Sequence, residues 1–257
     1  MTARRACLSM AAKWASSQTA GRRRRYARCS TGRPGRPSSG WKCGTRAVRC
    51  CSRLADRRAC TLSAMLIGLI SDTHIPEARH ELWPQVFDAF RGVDAILHAG
   101  DIHDLVVIDQ LHDIAPTYAA RGNGDDGSGG RPIQPFDHRL KEAWVLEFDG
   151  VRVGMTHDVP IPEYPPNLTL DRALLRYFGT TELDVLIYGD THVEAIDQIN
   201  GTLCVNPGSP TYPHNLETQL GTIGFLETSG GKAEATIWQL TGDGIAPFDW
   251  GKWKRPW

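Results

Sequence analysis

Apolar and polar positions from residue 65 onward first alternate between short strand patterns and helical patterns. The apolar run at 66–70 is typical of a buried strand, and Val86, Phe87 and Phe90 recur at the spacing of one helical face. The predicted order is strand, helix, strand, helix and strand, over residues 66–70, 82–91, 93–97, 105–114 and 116–120. This β-α-β-α-β order predicts a parallel sheet flanked by helices.

After residue 140 the pattern changes to strands joined by tight turns. Asp149-Gly150 and Asn200-Gly201 each separate two strand patterns and are typical of two-residue hairpin turns. Strands are predicted over residues 143–148, 151–155, 183–188, 193–199, 202–205, 222–227 and 233–240, and a helix over residues 167–178. The second half is therefore expected to consist mostly of hairpins. Two packed sheets with outer helices would bury the apolar faces of these elements.

Charge divides the 257-residue chain into two parts, although 29 basic and 29 acidic residues balance in total. Residues 1–64 contain 16 basic residues and one acidic residue, Asp56, whereas residues 65–257 contain 13 basic and 28 acidic residues. Six of the seven cysteines lie in the first part, and all nine histidines lie after residue 73. We therefore expect a basic extension over 1–64 and one domain over 65–257, which is long enough for a single core.

The segment 1–64 has few large aliphatic residues and a breaker-rich stretch at 32–37, so it is expected to be disordered. A transit peptide or a six-cysteine zinc module is an alternative, although no amphipathic helix or paired C-x₂-C spacing is evident. The favoured interpretation is upstream sequence translated from a wrongly assigned start codon, because Met65 opens a strong strand pattern. If made, the segment would contact nucleic acid only non-specifically.

Membrane and secreted proteins are classes that this composition argues against. No run approaches the about 20 apolar residues that span a bilayer. Cys204 is the only cysteine after residue 64, which excludes a disulfide framework there and favours a reducing compartment, the cytoplasm. The negative charge of residues 65–257 argues against long nucleic acid as a substrate, because extended phosphate contacts need a basic groove.

Polar side chains that can bind metals follow five of the predicted strands, at the point where each strand ends. In open α/β sheets, the carboxyl ends of the strands line the crevice in which ligands bind. We therefore expect these clusters to meet at one place, although they are far apart in the sequence. The clusters are residues 71–74, 98–101, 122–125, 156–158 and 189–192.

The spacing within two clusters indicates ligands of one ion. Asp72 and His74 are two residues apart, so their side chains would leave an extended backbone on the same side, and Asp190 and His192 repeat this spacing. Carboxylate, imidazole and amide ligands without thiolate suit Mn, Fe, Zn or Ni. A carboxylate shared by two ions holds them ~3.5 to 4 Å apart, an arrangement that activates water and neutralises phosphate charge.

These motifs, in this order, resemble the calcineurin-like metallophosphoesterases, in particular their small prokaryotic phosphodiesterase branch. The resemblance spans Met65 to about Leu240. It rests on D-x-H at 72–74, G-D at 100–101, G-N at 122–123, the lone His157, G-x-T-H at 189–192 and the N-P-G-S loop at 206–209. It implies a four-layer α/β/β/α sandwich of two mixed sheets with outer helices.

The resemblance also implies a dinuclear site in which a metal-bridging hydroxide attacks a small phosphodiester. One ion would be held by Asp72, His74 and His192, the other by Asn123, His157 and Asp190, with Asp101 bridging both. Asn123 would steer phosphate oxygens, and His98 would either face the phosphate or support the ligands from the outer side. Manganese is the favoured metal, and Fe, Zn, Ni or Mg are alternatives.

Two positions depart from the family pattern. Asp190 stands where the family has histidine, so the site carries less positive charge and favours harder ions such as Mn or Mg. Gly124 stands where family members have histidine or cysteine, so no side chain there can protonate a leaving group. This favours diesters over monoesters. The departures keep open an alternative, a non-catalytic binding or scaffold module that retains the fold.

Other polar and aromatic residues have simpler interpretations. His103 is expected at the surface, although it lies close enough to Asp101 to reach a substrate. Asp125 either orients a ligating imidazole or is a solvated loop acid. Three tryptophans near the C-terminus are expected to cover apolar surface or to form a homo-oligomer contact: Trp250, Trp253 and Trp257.

Overall fold

The computed structural model of the chain describes residues 64–158, 169–214 and 220–253. Residues 1–63, and with them six cysteines and nearly all of the basic extension, lie outside the described residues, as does Trp257. The division into an extension over 1–64 and a domain over 65–257 therefore stays a prediction.

Seven strands, numbered in chain order, form the first sheet. They are β1 (Met65–Ile70), β2 (Ala95–His98), β3 (Thr117–Ala120), β4 (Leu140–Lys141), β10 (Thr222–Ser229), β11 (Lys232–Thr241) and β12 (Gly244–Pro247). Their order in the sheet is β12-β11-β10-β1-β2-β3-β4. β1 to β4 run parallel to one another. β10 pairs antiparallel with β1, and β11 and β12 continue as an antiparallel meander. The first sheet is therefore mixed.

Five strands form the second sheet, which is also mixed. They are β5 (Ala143–Phe148), β6 (Val151–Thr156), β7 (Val185–Ile187), β8 (Ala195–Ile199) and β9 (Thr202–Asn206), in the order β5-β6-β7-β9-β8. β7 lies at the centre and pairs parallel with β6 and β9, while the outer pairs are antiparallel hairpins. The expectation of mostly hairpins agrees with these outer pairs, and the helix predicted before β7 returns the chain to the sheet in the parallel direction.

Three α-helices cover the outer faces of the sheets: α1 (Pro84–Ala89), α2 (Val106–His112) and α3 (Leu170–Phe178). Val86 and Leu111 of the first two helices belong to one buried cluster with Ile96 of β2. Leu174 of α3 packs in another cluster with Leu186 of β7. None of the helices in the described ranges has the length and apolar composition needed to span a membrane.

A third cluster fills the space between the two sheets. Leu69 and Leu97 of the first sheet share it with Val153 and Ile187 of the second, and all four side chains are fully buried. Alternate positions of β1 therefore face different layers, since Ile70 packs towards the helices and Leu69 towards the second sheet. The resulting order of layers is helices, sheet, sheet and helix, which confirms the predicted four-layer sandwich.

The two predicted hairpin turns have the backbone that their sequences indicate. Asp149 and Gly150 have φ angles of 50° and 78°, and Asn200 and Gly201 have φ angles of 50° and 89°. Left-handed φ at both central positions is the requirement of a type I′ turn, which Asp-Gly and Asn-Gly meet at low cost. The sequence patterns missed the two short edge strands β4 and β12, which have two and four residues.

Candidate metal centre

The ends of three strands of the first sheet and two of the second bring their polar side chains together. Asp72 and His74 follow β1, Asp101 follows β2, and Asn123 follows β3. From the second sheet, His157 follows β6, and Asp190 and His192 follow β7. These seven side chains form one cluster, although up to 120 positions separate them in the chain.

One group of donors consists of Asp72, His74 and His192. Nε2 of His192 lies 3.4 Å from Oδ1 of Asp72 and 3.2 Å from Nε2 of His74. The three ligand atoms lie within 4.8 Å of one another, so they could hold one ion. The side chain of Asp72 has no exposed surface.

Asp101 connects this group to a second one. Its Oδ2 lies 3.3 Å from Nε2 of His74, and its Oδ1 lies 3.3 Å from Nε2 of His157. Nε2 of His157 is also 3.1 Å from Oδ1 of Asn123. One carboxylate therefore faces an imidazole from each group and connects the two groups.

Asp190 lies at the edge of the second group. Its Oδ1 is 3.8 Å from Nε2 of His157, and its side chain is 46% exposed. Its backbone N–H donates to Oδ1 of Asp72 at 3.1 Å, so the loop after β7 also supports the first group. Asp190 can therefore act through its backbone as well as through its carboxylate.

The backbone of the two D-x-H segments differs from the extended conformation assumed above. The φ angles are 54° at Asp72, 43° at His74, 70° at Asp190 and 57° at His192, all in the left-handed region. Asp and His tolerate this region better than most residues, and such conformations cluster at functional sites. The side chains of each pair meet because the backbone turns sharply, not because alternate residues of a strand share a face.

Two of the imidazoles are oriented by backbone carbonyl oxygens. Nδ1 of His157 donates to the carbonyl of Ala99, and Nδ1 of His192 donates to the carbonyl of Tyr212, each at 2.8 Å. A carbonyl oxygen only accepts, so Nδ1 carries a proton, and Nε2 is the nitrogen that faces the cluster. Outer partners of this kind fix the tautomer of ligating histidines.

A close approach explains one glycine of the motifs. Gly100 has a φ of 98°, and a Cβ at this position would lie 2.6 Å from Nδ1 of His157. A side chain would therefore displace the imidazole that bonds to Ala99. The glycine before Asp101 is needed for the position of a ring that is 57 residues away in the chain.

Burial perturbs the titration of the cluster. It raises the pKa of Asp72 and of Asp190 above the ordinary value of a carboxyl, and it lowers the pKa of His74 to about 3. Burial acts in the same direction on His157, but the carboxylates of Asp72 and Asp101 raise its pKa above the ordinary value. The carboxylates therefore attract positive charge to the cluster, whereas burial disfavours the ionised forms of its side chains.

The donor set fits divalent cations. Three carboxylates, three imidazoles and one amide oxygen converge, and among the described residues no lysine or arginine pairs with Asp72, Asp101 or Asp190. A cation would keep the carboxylates ionised and the imidazoles neutral, which removes the conflict in their titration. Nitrogen and oxygen donors without thiolate suit Mn, Fe, Zn or Ni.

His98 does not join the cluster and lies in a supporting position, the alternative to facing a phosphate oxygen. Its side chain has no exposed surface. Nε2 lies 3.0 Å from Oγ1 of Thr73, and the backbone N–H of Gly100 donates to Nδ1 at 3.2 Å. Burial lowers the pKa of His98 to about 3, so the ring is neutral. Its place is beneath the metal-facing loops, where it supports Thr73 and Gly100.

Asp125 has a structural role that the sequence left open. Its buried carboxylate accepts backbone N–H groups of Ile102, His103 and Gly122 at 2.8–3.2 Å. It therefore joins the loop after β2 to the loop after β3 and does not contact an imidazole of the cluster. The repeated acids in this segment gave no signal that distinguishes this role.

The N-P-G-S loop supports the first group through hydrogen bonds to the backbone of its neighbouring loops. Oγ of Ser209 donates to the carbonyl of Asp72 at 2.7 Å, and Nδ2 of Asn206 donates to the carbonyl of Gly189 at 2.9 Å. Tyr212, which the sequence analysis did not single out, supplies the carbonyl that orients His192. Its ring is 55% exposed and lies 5.2 Å from that of His192.

Comparison with known proteins agrees with this geometry. The model of the calcineurin-like phosphoesterase superfamily domain matches residues 65–231. A probable metallophosphoesterase of Methanothermobacter thermautotrophicus is 39% identical over 175 residues, which cover 67% of this chain and 91% of the relative. Phosphodiesterase MJ0936 of Methanocaldococcus jannaschii is 26% identical over 172 residues, which cover 64% of this chain and 93% of the relative.

A solved structure shares the fold. Vacuolar Protein Sorting 29 of Cryptosporidium parvum superposes with a TM-score of 0.55 at 21% identity, covering 71% of this chain and 95% of that protein. At this identity the likeness concerns architecture, and it supports the assignment of two mixed sheets with outer helices.

Proposed function

Because the chain belongs to the calcineurin-like phosphoesterase superfamily, we propose that it hydrolyses a small phosphodiester with two divalent cations. The resemblance expected from the motifs is thereby confirmed. Membership of the family assigns a phosphoesterase, and the two cations and the diester substrate are our proposal. The observation that carries the finer proposal is the carboxylate of Asp101, whose two oxygens each lie 3.3 Å from an imidazole of a different group.

The two groups would each hold one cation. Asp72, His74 and His192 would hold the first, Asn123, His157 and Asp190 the second, and Asp101 would contact both. Bound divalent cations supply a hydroxide nucleophile near neutral pH and neutralise charge on the phosphate and the leaving oxygen. Manganese is the metal we favour, since Asp190 adds a third carboxylate and harder ions prefer oxygen ligands.

The side chains of the chain itself would bind and orient the substrate. Asn123 is exposed, and its Oδ1 lies against His157, which leaves its amide N–H groups free to donate to a phosphate oxygen. His192 and His157 keep their rings aimed at the cluster through Tyr212 and Ala99. The exposed ring of Tyr212 forms an aromatic rim that would contact an ester group.

A diester is preferred to a monoester for a chemical reason. Gly124 has no side chain that could protonate a leaving oxygen, so esters with good leaving groups are favoured. Three carboxylates also reduce the positive charge of the centre, and a dianionic monoester depends more on that charge than a monoanionic diester does. A cytoplasmic location is proposed on the free, buried Cys204.

The full-length chain, loaded with Mn²⁺, Ni²⁺ or Zn²⁺, should hydrolyse an activated aryl phosphodiester faster than the corresponding monoester. Asp101→Ala should reduce this rate by more than the about 100-fold that loss of an outer partner costs a metal site. The variant also controls for contaminating phosphatase. No hydrolysis above the Asp101→Ala background would reject the enzyme.

A binding module that retains the fold is the second candidate. It is favoured by the exposure of Asp190, whose side chain is 46% exposed, and by the fold shared with a vacuolar protein sorting protein. Under this hypothesis the chain would bind cations without hydrolysing any aryl ester. Metal binding by calorimetry, measured on the same preparation as the assay, separates the two functions.

A further inference from the structure

His103 is built into the centre, although the sequence predicts a surface position for it. Its side chain is 4% exposed, and its ring centroid lies 4.3 Å from that of His74 in an edge-on arrangement. A nitrogen of His103, a nitrogen of His74 and a carboxylate oxygen of Asp101 all lie within 4.8 Å of one another. These three atoms form a further group that could hold an ion.

The orientation of the His103 ring directs one nitrogen towards the cluster. Nδ1 lies 2.8 Å from Oε2 of Glu77, on the outer side. Nε2 lies on the opposite side, where a Cβ built on Gly124 would be 2.1 Å from Nε2 and 3.0 Å from Oδ1 of Asp101. Neither ring nitrogen has an aligned hydrogen bond to another described residue, so the contact with Glu77 is one of proximity only.

This arrangement matches that of the two oriented imidazoles of the centre. His157 and His192 each turn Nδ1 outward to an oxygen and present Nε2 to the cluster, and His103 likewise turns Nδ1 towards the carboxylate of Glu77, without an aligned hydrogen bond. A buried nitrogen without a hydrogen bond costs free energy, and a bound cation would remove that cost.

We propose that His103 is a further nitrogen ligand of the centre and binds a divalent cation through Nε2, together with His74 and Asp101. The inference rests on the proposed metal centre and adds a ligand to it. This imidazole belongs to the loop after β2, two residues beyond Asp101. The loop after β3 has Gly124, which offers no side chain.

Gly124 is the structural counterpart of this ligand. Its φ angle lies outside the left-handed region, so the backbone does not require glycine there. A Cβ would instead collide with the His103 ring, at 2.1 Å from Nε2 and 2.5 Å from Cδ2. The absent side chain at 124 and the buried ring at 103 are therefore two parts of one arrangement.

Cobalt titration of the metal-free, full-length chain tests the proposal without measuring activity. Visible d–d absorption reports the ligands of Co²⁺, and calorimetry reports affinity and stoichiometry. The key variant is His103→Asn, whose amide can still approach Glu77 from the position of Nδ1 but has no atom at the position of Nε2. Thermal unfolding in chelator verifies that the variant is folded.

The expected result is binding of two Co²⁺ ions by the parent and, in His103→Asn, a changed d–d spectrum with at least about tenfold weaker binding of one ion. Parental spectrum and affinity in His103→Asn would overturn the role of His103 while leaving the centre intact. If the parent itself binds no Co²⁺, or Asp101→Ala binds it as well as the parent does, the metal centre fails and this proposal fails with it.

Gly124→Ala provides an independent test of the same arrangement. The added methyl group should displace the ring and reproduce the weaker binding of His103→Asn. In the His103→Asn background the methyl group should change Co²⁺ affinity little, because the two ring atoms that it would approach most closely are gone. An undiminished effect in that background would mean that the methyl group acts through Asp101, and would contradict the proposal.

Discussion

The two groups of donors are built differently. In the first, Asp72 has no exposed surface and its carboxylate accepts from Oγ of Ser71 at 2.6 Å and from the backbone of Asp190 at 3.1 Å. In the second, His157 is buried but Asn123 and Asp190 face solvent. We call them the buried group (Asp72, His74, His192) and the open group (Asn123, His157, Asp190).

If each group holds a cation as proposed, this difference would make the cation of the buried group fixed and that of the open group exchangeable. Ligands held by protein donors are already positioned, so binding an ion to the buried group costs little reorganisation. Ligands that face water must give up solvent contacts and side-chain freedom when an ion binds. We therefore expect the buried group to bind its cation more tightly, and the open group to be the side that a substrate approaches.

Substitution of matched aspartates should give the largest difference between the groups. Asp72→Asn removes a buried ligand charge and should lower kcat/KM for an aryl diester by about 100-fold or more, whereas Asp190→Asn should cost about tenfold. Calorimetry with Mn²⁺ should show the same ranking of affinities. Equal losses in the two variants would mean that exposure does not determine the contribution of a ligand here.

Removal of metal should destabilise the domain mainly through the buried group. A cation present at 100 times its Kd adds about 2.7 kcal/mol to the free energy of unfolding. For a domain of this size that corresponds to a fall in Tm of roughly 5–10 °C on chelation. Differential scanning calorimetry should find this shift in the parent and in Asp190→Asn, and little of it in Asp72→Asn. A shift that Asp190→Asn abolishes would reverse the comparison.

A change of charge in the open group should sharpen the comparison. Asp190→His replaces a carboxylate by a neutral imidazole, which adds positive charge to the centre and should raise kcat/KM for a diester by about tenfold, or about 1.4 kcal/mol. The same variant should shift the preferred metal from Mn²⁺ towards Zn²⁺ or Ni²⁺. Activity in Asp190→His with none in the parent would instead favour the binding module.

His98, which lies beneath the buried group, should make the free energy of unfolding depend on pH. Burial lowers the pKa of folded His98 to about 3, against an ordinary value of 6.5. Below about pH 6.5 the unfolded chain binds a proton that the folded chain does not, so folding loses up to about 1.4 kcal/mol per pH unit until about pH 3.

His98→Gln removes this proton linkage but keeps a polar side chain. The parent should lose more free energy of unfolding than the variant between pH 7 and pH 4, as measured by urea denaturation of metal-free protein. At pH 7 the ring is neutral in both states, so the linkage costs no stability there, and the cost grows as the pH falls. Parallel pH dependences of the two proteins would show that His98 is protonated in the folded state.

Positions of the seven candidate ligands could be predicted because the signal is local. Each lies within five residues of the end of a strand, and polar residues such as Asp72 or Asp101 after an apolar run stand out in the sequence. The partners that orient them could not be predicted. His157 and His192 bond to carbonyls of Ala99 and Tyr212, and a backbone carbonyl is the same at every residue.

His98 and His103 show that the direction of a side chain could not be predicted from the sequence either. For His98 the sequence left open a phosphate contact and a supporting position, and the ring is buried against Thr73. For His103 the sequence predicts a surface position, but the ring is buried beside His74. Both residues lie next to a strand end, and their types are the same. Which direction a side chain takes depends on φ, which is 68° at His103, and on the space that Gly124 leaves.

The amino-acid sequence by itself determined the alternation of strands and helices, the two I′ turns and the set of donors, because hydrophobic period and residue type are local properties. Tertiary structure decided that β7 is a parallel central strand, that left-handed backbone turns Asp72 and His74 inward, and that Asp190 faces solvent. These features depend on packing between segments distant in the chain, whose free energy is set only when both sheets have met.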